Sequence, residues 1–496
     1  MTTSARPRVV VVGGGITGLS AARLLALDGL DVIVLEAAER SGGKLSPLVL
    51  NDVRLDAGAE SILARRPEGV DLVAALGLVD HLVHTTAAQP QLLLGGQLHA
   101  LPPSLLGVPT DLSQLTGLLS EGGLRVAASE PERPAPAFDH DVAIGRFVDA
   151  RFGAEVTDRL LEPLLGGVYA GDARLLSFEA VAPELFQRVK RGGSLLRHAQ
   201  QIVQRGQQVP VFAGLIGGVS TLIDALVDDL VRHRVRIRLG TVVRTVLATD
   251  RGFRLIVGGA DDPEMIMADG VLLAAPAAAT GRLLLGVAPS AGEFASLPYA
   301  SVAVITLVVR GLQAEASGVL VAPGELPTIK AVTYSSAKWS WVASQAQQTW
   351  GPQVDIVRAS VGRHGEARTL QLSDRALIER TFAEARRIPG WGTADLMEAT
   401  VSRWGGGLPQ YPVGHRGLVA QLRAEVAGIC GLAVAGAALD GLGIPACLAS
   451  AQTAARALTA DLGVSTGAVL SSSKGSMQSD SSGMIDEKDQ LEESGR

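Results

Sequence analysis

Val9-Val-Val-Val12-Gly13-Gly14-Gly15-Ile16-Thr17-Gly18 is the stretch whose reading decides the fold. Four consecutive β-branched residues mark a strand covered on both faces, as in a parallel sheet. The glycines then turn the chain into Leu19-Ser-Ala-Ala-Arg-Leu-Leu-Ala-Leu27, a helix pattern that closes near Gly29. Asp31-Val-Ile-Val-Leu-Glu36 follows as a second strand, completing a βαβ unit. A Gly-x-Gly-x-x-Gly spacing in that context is the dinucleotide fingerprint. Gly13 permits the tight turn, Gly15 lets backbone approach a pyrophosphate, and Gly18 lets helix and strand pack closely. Gly14, Ile16 and Thr17 complete the turn, whose helix end offers free N–H groups to phosphate. Glu36, with Ala37 beside it, stands where a carboxylate accepts from ribose hydroxyls.

Working outward, Val235 to Val246 and Phe253 to Val257 alternate like paired strands, and Val271-Leu-Leu-Ala-Ala-Pro276 reads as a buried strand. Leu432-Ala-Val-Ala-Gly436 reads as another, feeding the helical pattern 446–458. Strands this far apart in one sheet imply a discontinuous domain. Runs at 302–309, 319–321 and 354–361 suggest a second sheet, while 142–165 reads as two short helices around Gly153. Residues 128–141 are rich in proline and read as a linker. Beyond about Gly463 the chain turns Ser-rich and then acidic, with little to bury, and is expected to be disordered.

Of 496 residues, 47% are apolar but only 4% aromatic, and 44 basic against 50 acidic side chains leave a net charge of −6. That balance, with few rings for base stacking, argues against nucleic acid as a partner. Two cysteines, Cys430 and Cys447, form no ligand-type spacing, so neither a disulfide framework nor a metal site is expected. No apolar run reaches the roughly 20 residues of a membrane span. The expectation is a cytoplasmic protein, peripheral to a membrane at most, and the oligomeric state is left open.

Past the acid, Glu39-Arg40-Ser-Gly42-Gly43-Lys44 makes a basic–Gly–Gly–basic turn, and Asp56-Ala-Gly58-Ala59-Glu60-Ser61 follows. These resemble the second and third cofactor contacts of the flavin amine oxidase and protoporphyrinogen oxidase superfamily. The resemblance narrows at Glu162-Pro-Leu-Leu-Gly-Gly-Val-Tyr-Ala-Gly-Asp172, which is similar to a porphyrinogen oxidase signature. Asp440-Gly-Leu442-Gly443-Ile444-Pro-Ala-Cys447 resembles that family's last flavin turn, and Arg403-Trp404 with Leu408-Pro-Gln-Tyr411 the segment before it. Phe212 to Leu222 resembles its glycine turn leading into a helix. The likeness runs in order from about residue 9 to 460.

The resemblance implies FAD as cofactor, held by these turns with Val243 and Trp404. It implies porphyrinogen and oxygen as reactants, with coproporphyrinogen III oxidised to coproporphyrin III and hydrogen peroxide released, as in haem biosynthesis. The Gram-positive type is favoured by Leu101-Pro-Pro-Ser-Leu-Leu-Gly-Val-Pro-Thr110, and by Gln91 standing where mitochondrial-type members carry a propionate-binding arginine. Protoporphyrinogen IX oxidation is the alternative, followed by amine oxidation. The latter is disfavoured because no Phe, Trp or Tyr follows Tyr411 to make an aromatic cage. No catalytic side chain is singled out, since the cofactor carries the hard step.

The fold class is α/β: a discontinuous Rossmann-type FAD-binding domain (1–85, 206–275, 425–463), a sheet-containing substrate domain (86–105, 276–424) and a helical region (106–205), with 464–496 as the tail. Four carboxylates on the implied substrate call for basic groups. Candidates are Arg65, Arg66 and Lys190, with Arg188 and Arg191 near the last. Tyr169 is a candidate pocket wall and Lys330 sits in a polar strand that approaches it.

Overall fold

The protein was analysed as a computed structural model, which describes residues 6–134, 138–205, 211–312 and 315–464. The expected tail, apart from Val464, lies outside the described residues. Arg8–Val12 forms the middle of a five-stranded parallel sheet, with Asp31–Leu35 and then Arg236–Arg238 on one side and Gly270–Leu273 and then Leu432–Val434 on the other. Val9, Val10 and Val11 have no exposed surface, as a strand covered on both faces requires. The helix Ile16–Leu27 packs against Ile444–Asp461, where Ala21, Ala22, Ala451 and Ala455 let the two backbones approach. The first and last described helices thus close one core.

The segment read as one strand from Val235 to Val246 is divided. Arg236–Arg238 joins the parallel sheet, and Val243–Thr249 pairs instead with Gly252–Gly258 and, through it, Pro263–Ala268. The break falls at Gly240, whose φ of +60° turns the chain, and at Thr241, whose N–H donates to the Glu36 carbonyl.

A seven-stranded sheet covers the other side of the site. Its order runs Asp395–Pro409, Tyr299–Arg310, Val354–Val361, Ile329–Tyr334, Gly318–Val321, Pro90–Leu94 and Gln97–Ala100. The last two form a hairpin through Gly95 and Gly96, both at positive φ, the geometry that matches strand twist.

Helices from Glu121 to Arg205 build a third core, in which Phe138, Phe147, Phe178 and Phe186 pack edge-on or tilted. Here the linker reading fails in part, with 135–137 outside the described residues. Glu130 has no exposed surface; its carboxylate accepts from Arg151, from the Ser194 hydroxyl and from the Leu195 N–H. Proline-rich composition did not reveal that this one acid has a buried cation waiting for it.

Candidate functional site

A cavity of about 800 Å³ lies between the parallel sheet and the seven-stranded sheet. Its floor is the fingerprint. Gly13 has φ +110°, and an added Cβ would meet the Ala274 carbonyl oxygen at 2.7 Å; at Gly18 it would lie 1.9 Å from the Gly13 oxygen. Gly15 is different: its backbone is extended, and a Cβ there would meet nothing within 4 Å. Gly13 and Gly18 are therefore demanded by the chain itself, whereas Gly15 faces open space at a helix N-terminus. Such a cradle fits a phosphate group.

Around it stand Ile16, Thr17, Glu36, Ala37, Gly42, Gly43, Lys44, Gly58, Ala59, Glu60, Ser61, Val243, Trp404, Leu442, Gly443 and Ile444, all lining this one cavity. Gly14 does not line it; its N–H donates to the Glu36 carboxylate at 2.6 Å, as does that of Ala38 at 2.8 Å. Arg40 is exposed, and its guanidinium donates to the Ser41 and Gly43 carbonyls, tying the turn. Lys44 faces the cavity and makes no ion pair among the described residues, and burial lowers its ammonium pKa.

The segment from Asp56 to Ser61 is clamped from three directions. Asp56 accepts from the Val219 and Ser220 N–H groups at 2.8 and 2.9 Å. The Trp404 indole donates to the Ala57 carbonyl at 3.1 Å. Glu60 is met by Lys338 and Arg358, both at 2.6 Å, while Arg358 also donates to the Gly58 carbonyl. Burial would raise the Glu60 pKa, yet the two cations overcome it and hold the value at about 2. Glu60 borders the cavity, but its carboxylate ties its loop to the helix Ser335–Lys338 and to the seven-stranded sheet.

The remaining candidates fall elsewhere. Arg65 is exposed, Arg66 pairs with Glu68, and the Lys190 ammonium donates to the Asp139 carbonyl. None of the three lines the cavity: Arg65 lies at the surface, and the other two are held by local partners. Arg188 pairs with Glu184 one turn back. Tyr169 is half-buried, edge-on to Tyr411, with its phenol pushed up to about 12 by burial. Its neighbours Gly167 and Val168 reach the cavity instead. Arg282, Tyr299 and Ser360 line it too and carried no signal in the sequence; Cys447, the last residue of the flavin-turn motif, lines it as well.

The model of the flavin containing amine oxidoreductase family matches residues 16–459. The coproporphyrinogen III oxidase of Mycobacterium tuberculosis is 37% identical over 456 residues, covering 90% of this chain and 95% of that one. The chain belongs to the flavin containing amine oxidoreductase family, among its porphyrinogen oxidases. The coproporphyrinogen III oxidase of Bacillus subtilis is 29% identical, covering 90% of this chain and 97% of its own. A solved structure from Exiguobacterium sp., provisionally described as a protoporphyrinogen oxidase, has 31% identity and a TM-score of 0.78, covering 93% of this chain and 99% of that one.

A flavin oxidoreductase must hold an anionic cofactor, and the Gly15 cradle with the cavity-facing Lys44 fits one. Arg40, in contrast, shapes the turn from outside. Arg40→Ala is expected to weaken flavin binding by no more than about tenfold, the loss of one charge-assisted bond to backbone, measured by titrating apoprotein with flavin.

Proposed function

We propose that the protein is an FAD-dependent oxidase that converts coproporphyrinogen III to coproporphyrin III with oxygen, releasing hydrogen peroxide, in haem biosynthesis. One observation carries this reading. Gly167 and Val168, from the signature helix Glu162–Tyr169, line the same cavity as the fingerprint turn. The stretch most specific to porphyrinogen oxidases thus lines the cavity assigned here to the cofactor. The bound flavin supplies two-electron oxidation of the saturated bridges between pyrroles. The chain's residues do the rest. Glu36 is poised for a ribose, and the Gly13–Gly18 turn for the diphosphate of FAD. Val302, Val304 and Trp404 give the sheet side of the cavity an apolar face on which a macrocycle is held dry against the cofactor.

The division into flavin, substrate and helical domains given above is part of the same proposal, as is a cytoplasmic setting. No described helix is long and apolar enough to cross a membrane. Purified protein is expected to be yellow, to release FAD on denaturation, and to turn coproporphyrinogen III into fluorescent porphyrin with peroxide in air. Faster turnover of protoporphyrinogen IX than of coproporphyrinogen III would reverse the substrate assignment. Protein that cannot be reconstituted with FAD would overturn the whole reading.

A further inference from the structure

Lys330 is 2% exposed, lines the cavity, and its ammonium makes no hydrogen bond or ion pair among the described residues. Its placement is not an accident of strand alternation. In the ladder between Ile329–Tyr334 and Val354–Val361, Ile329 faces Val361 while Ala331 already faces Ser360. Lys330 is the extra residue of a bulge, a device that re-aims one side chain. Ser360 and Val304, paired across the adjoining strands, line the cavity beside it.

The other cavity-lining cations belong to the flavin end: Lys44 follows the Gly42–Gly43 turn, and Arg282 lies on the helix after Gly270–Leu273. Arg363 lies near Lys330 but is directed toward Glu162, at 3.8 Å. Burial, with repulsion from Arg363 only partly offset by Glu366, brings the Lys330 amine down to about 7. A buried cation without a partner is costly, and it gains most from an arriving anion.

We propose that Lys330 binds a carboxylate of the substrate at the sheet end of the cavity, fixing the macrocycle's orientation over the flavin. This inference rests on the porphyrinogen reading above and adds the residue that reads the substrate's acid side chains. It also predicts a conflict between stability and binding, because a basic group buried without a partner costs stability when the site is empty.

The test uses flavin-loaded Lys330→Met and Lys330→Arg, with coproporphyrin III and its uncharged tetramethyl ester as probes, followed by fluorescence quenching. Lys330→Met is expected to bind the acid about ten- to a hundredfold more weakly, the worth of one charge-assisted contact. KM for coproporphyrinogen should rise in proportion, with kcat at saturation nearly unchanged. Flavin content and ester affinity should stay at the wild-type level, thermal stability should not fall, and Lys330→Arg should keep most of the acid affinity. Unchanged acid affinity in Lys330→Met overturns the inference, as does an equal loss for acid and ester, which would mean packing alone. A fall in kcat with unaltered affinity overturns it too. Wild-type protein that neither binds coproporphyrin nor oxidises its porphyrinogen overturns the substrate reading, and this inference with it.

Discussion

Gly15→Val is expected to give a folded, colourless protein. A Cβ at this position would meet no atom within 4 Å, and its φ of −75° and ψ of 176° are ones a β-branched residue adopts freely. The cost to the fold is limited to a poorer helix start, about 1 kcal/mol. The cost to the cofactor is far larger. The new methyl groups occupy the place where a diphosphate would meet the helix N-terminus, so affinity for flavin should fall by at least about a hundredfold. Gly18→Ala is the contrasting variant: its Cβ would lie 1.9 Å from the Gly13 oxygen, so strand and helix must separate. Circular dichroism should show Gly15→Val folded and Gly18→Ala destabilised. Stoichiometric flavin retained by Gly15→Val would refute the placement of the cofactor.

Arg358→Met should lower stability by about 3–5 kcal/mol, because it leaves a buried carboxylate with one cation instead of two and uncaps the Gly58 carbonyl. The pH dependence has a definite sign. Glu60 has an ordinary value of 4.5 and a folded value of about 2. A depressed carboxylate stabilises the fold above its unfolded pKa, so this contribution, about 3 kcal/mol, is complete above pH ~5 and fades as pH falls toward 2. Acid unfolding of the wild type should be steep across that window, and Arg358→Met or Glu60→Gln should flatten it. Denaturant midpoints measured at intervals from pH 7 to pH 3 would check both claims. Equal pH slopes in wild type and variants would sink them.

The same cluster marks where the residues stopped being legible. Gly58 and Ala59 sit at the cavity as their motif suggested, but the neighbouring Glu60 looked like a further cofactor contact. Nothing within its own segment announces that Lys338 and Arg358, nearly three hundred residues on, will neutralise it. Arg66 looked available for a propionate, yet Glu68 takes it locally, and Lys190 is spent on a surface carbonyl. Charge alone marks a candidate; whether it stays free depends on its neighbours in space.

By itself the sequence determined the N-terminal βαβ unit, the glycine turn and the buried strands within 271–276 and 432–436. These depend on steric and hydrophobic rules that act within a few residues, so a valine run and glycine spacing suffice to state them. The tertiary structure alone decided that Arg236–Arg238 leaves its hairpin for the parallel sheet, and that Glu130 is sealed by Arg151. It also decided that a one-residue slip in a ladder turns Lys330 into the cavity. Each outcome is a meeting between distant segments, settled by which partner satisfies a buried charge or backbone group at the lowest free energy. That comparison exists only once the chain has folded.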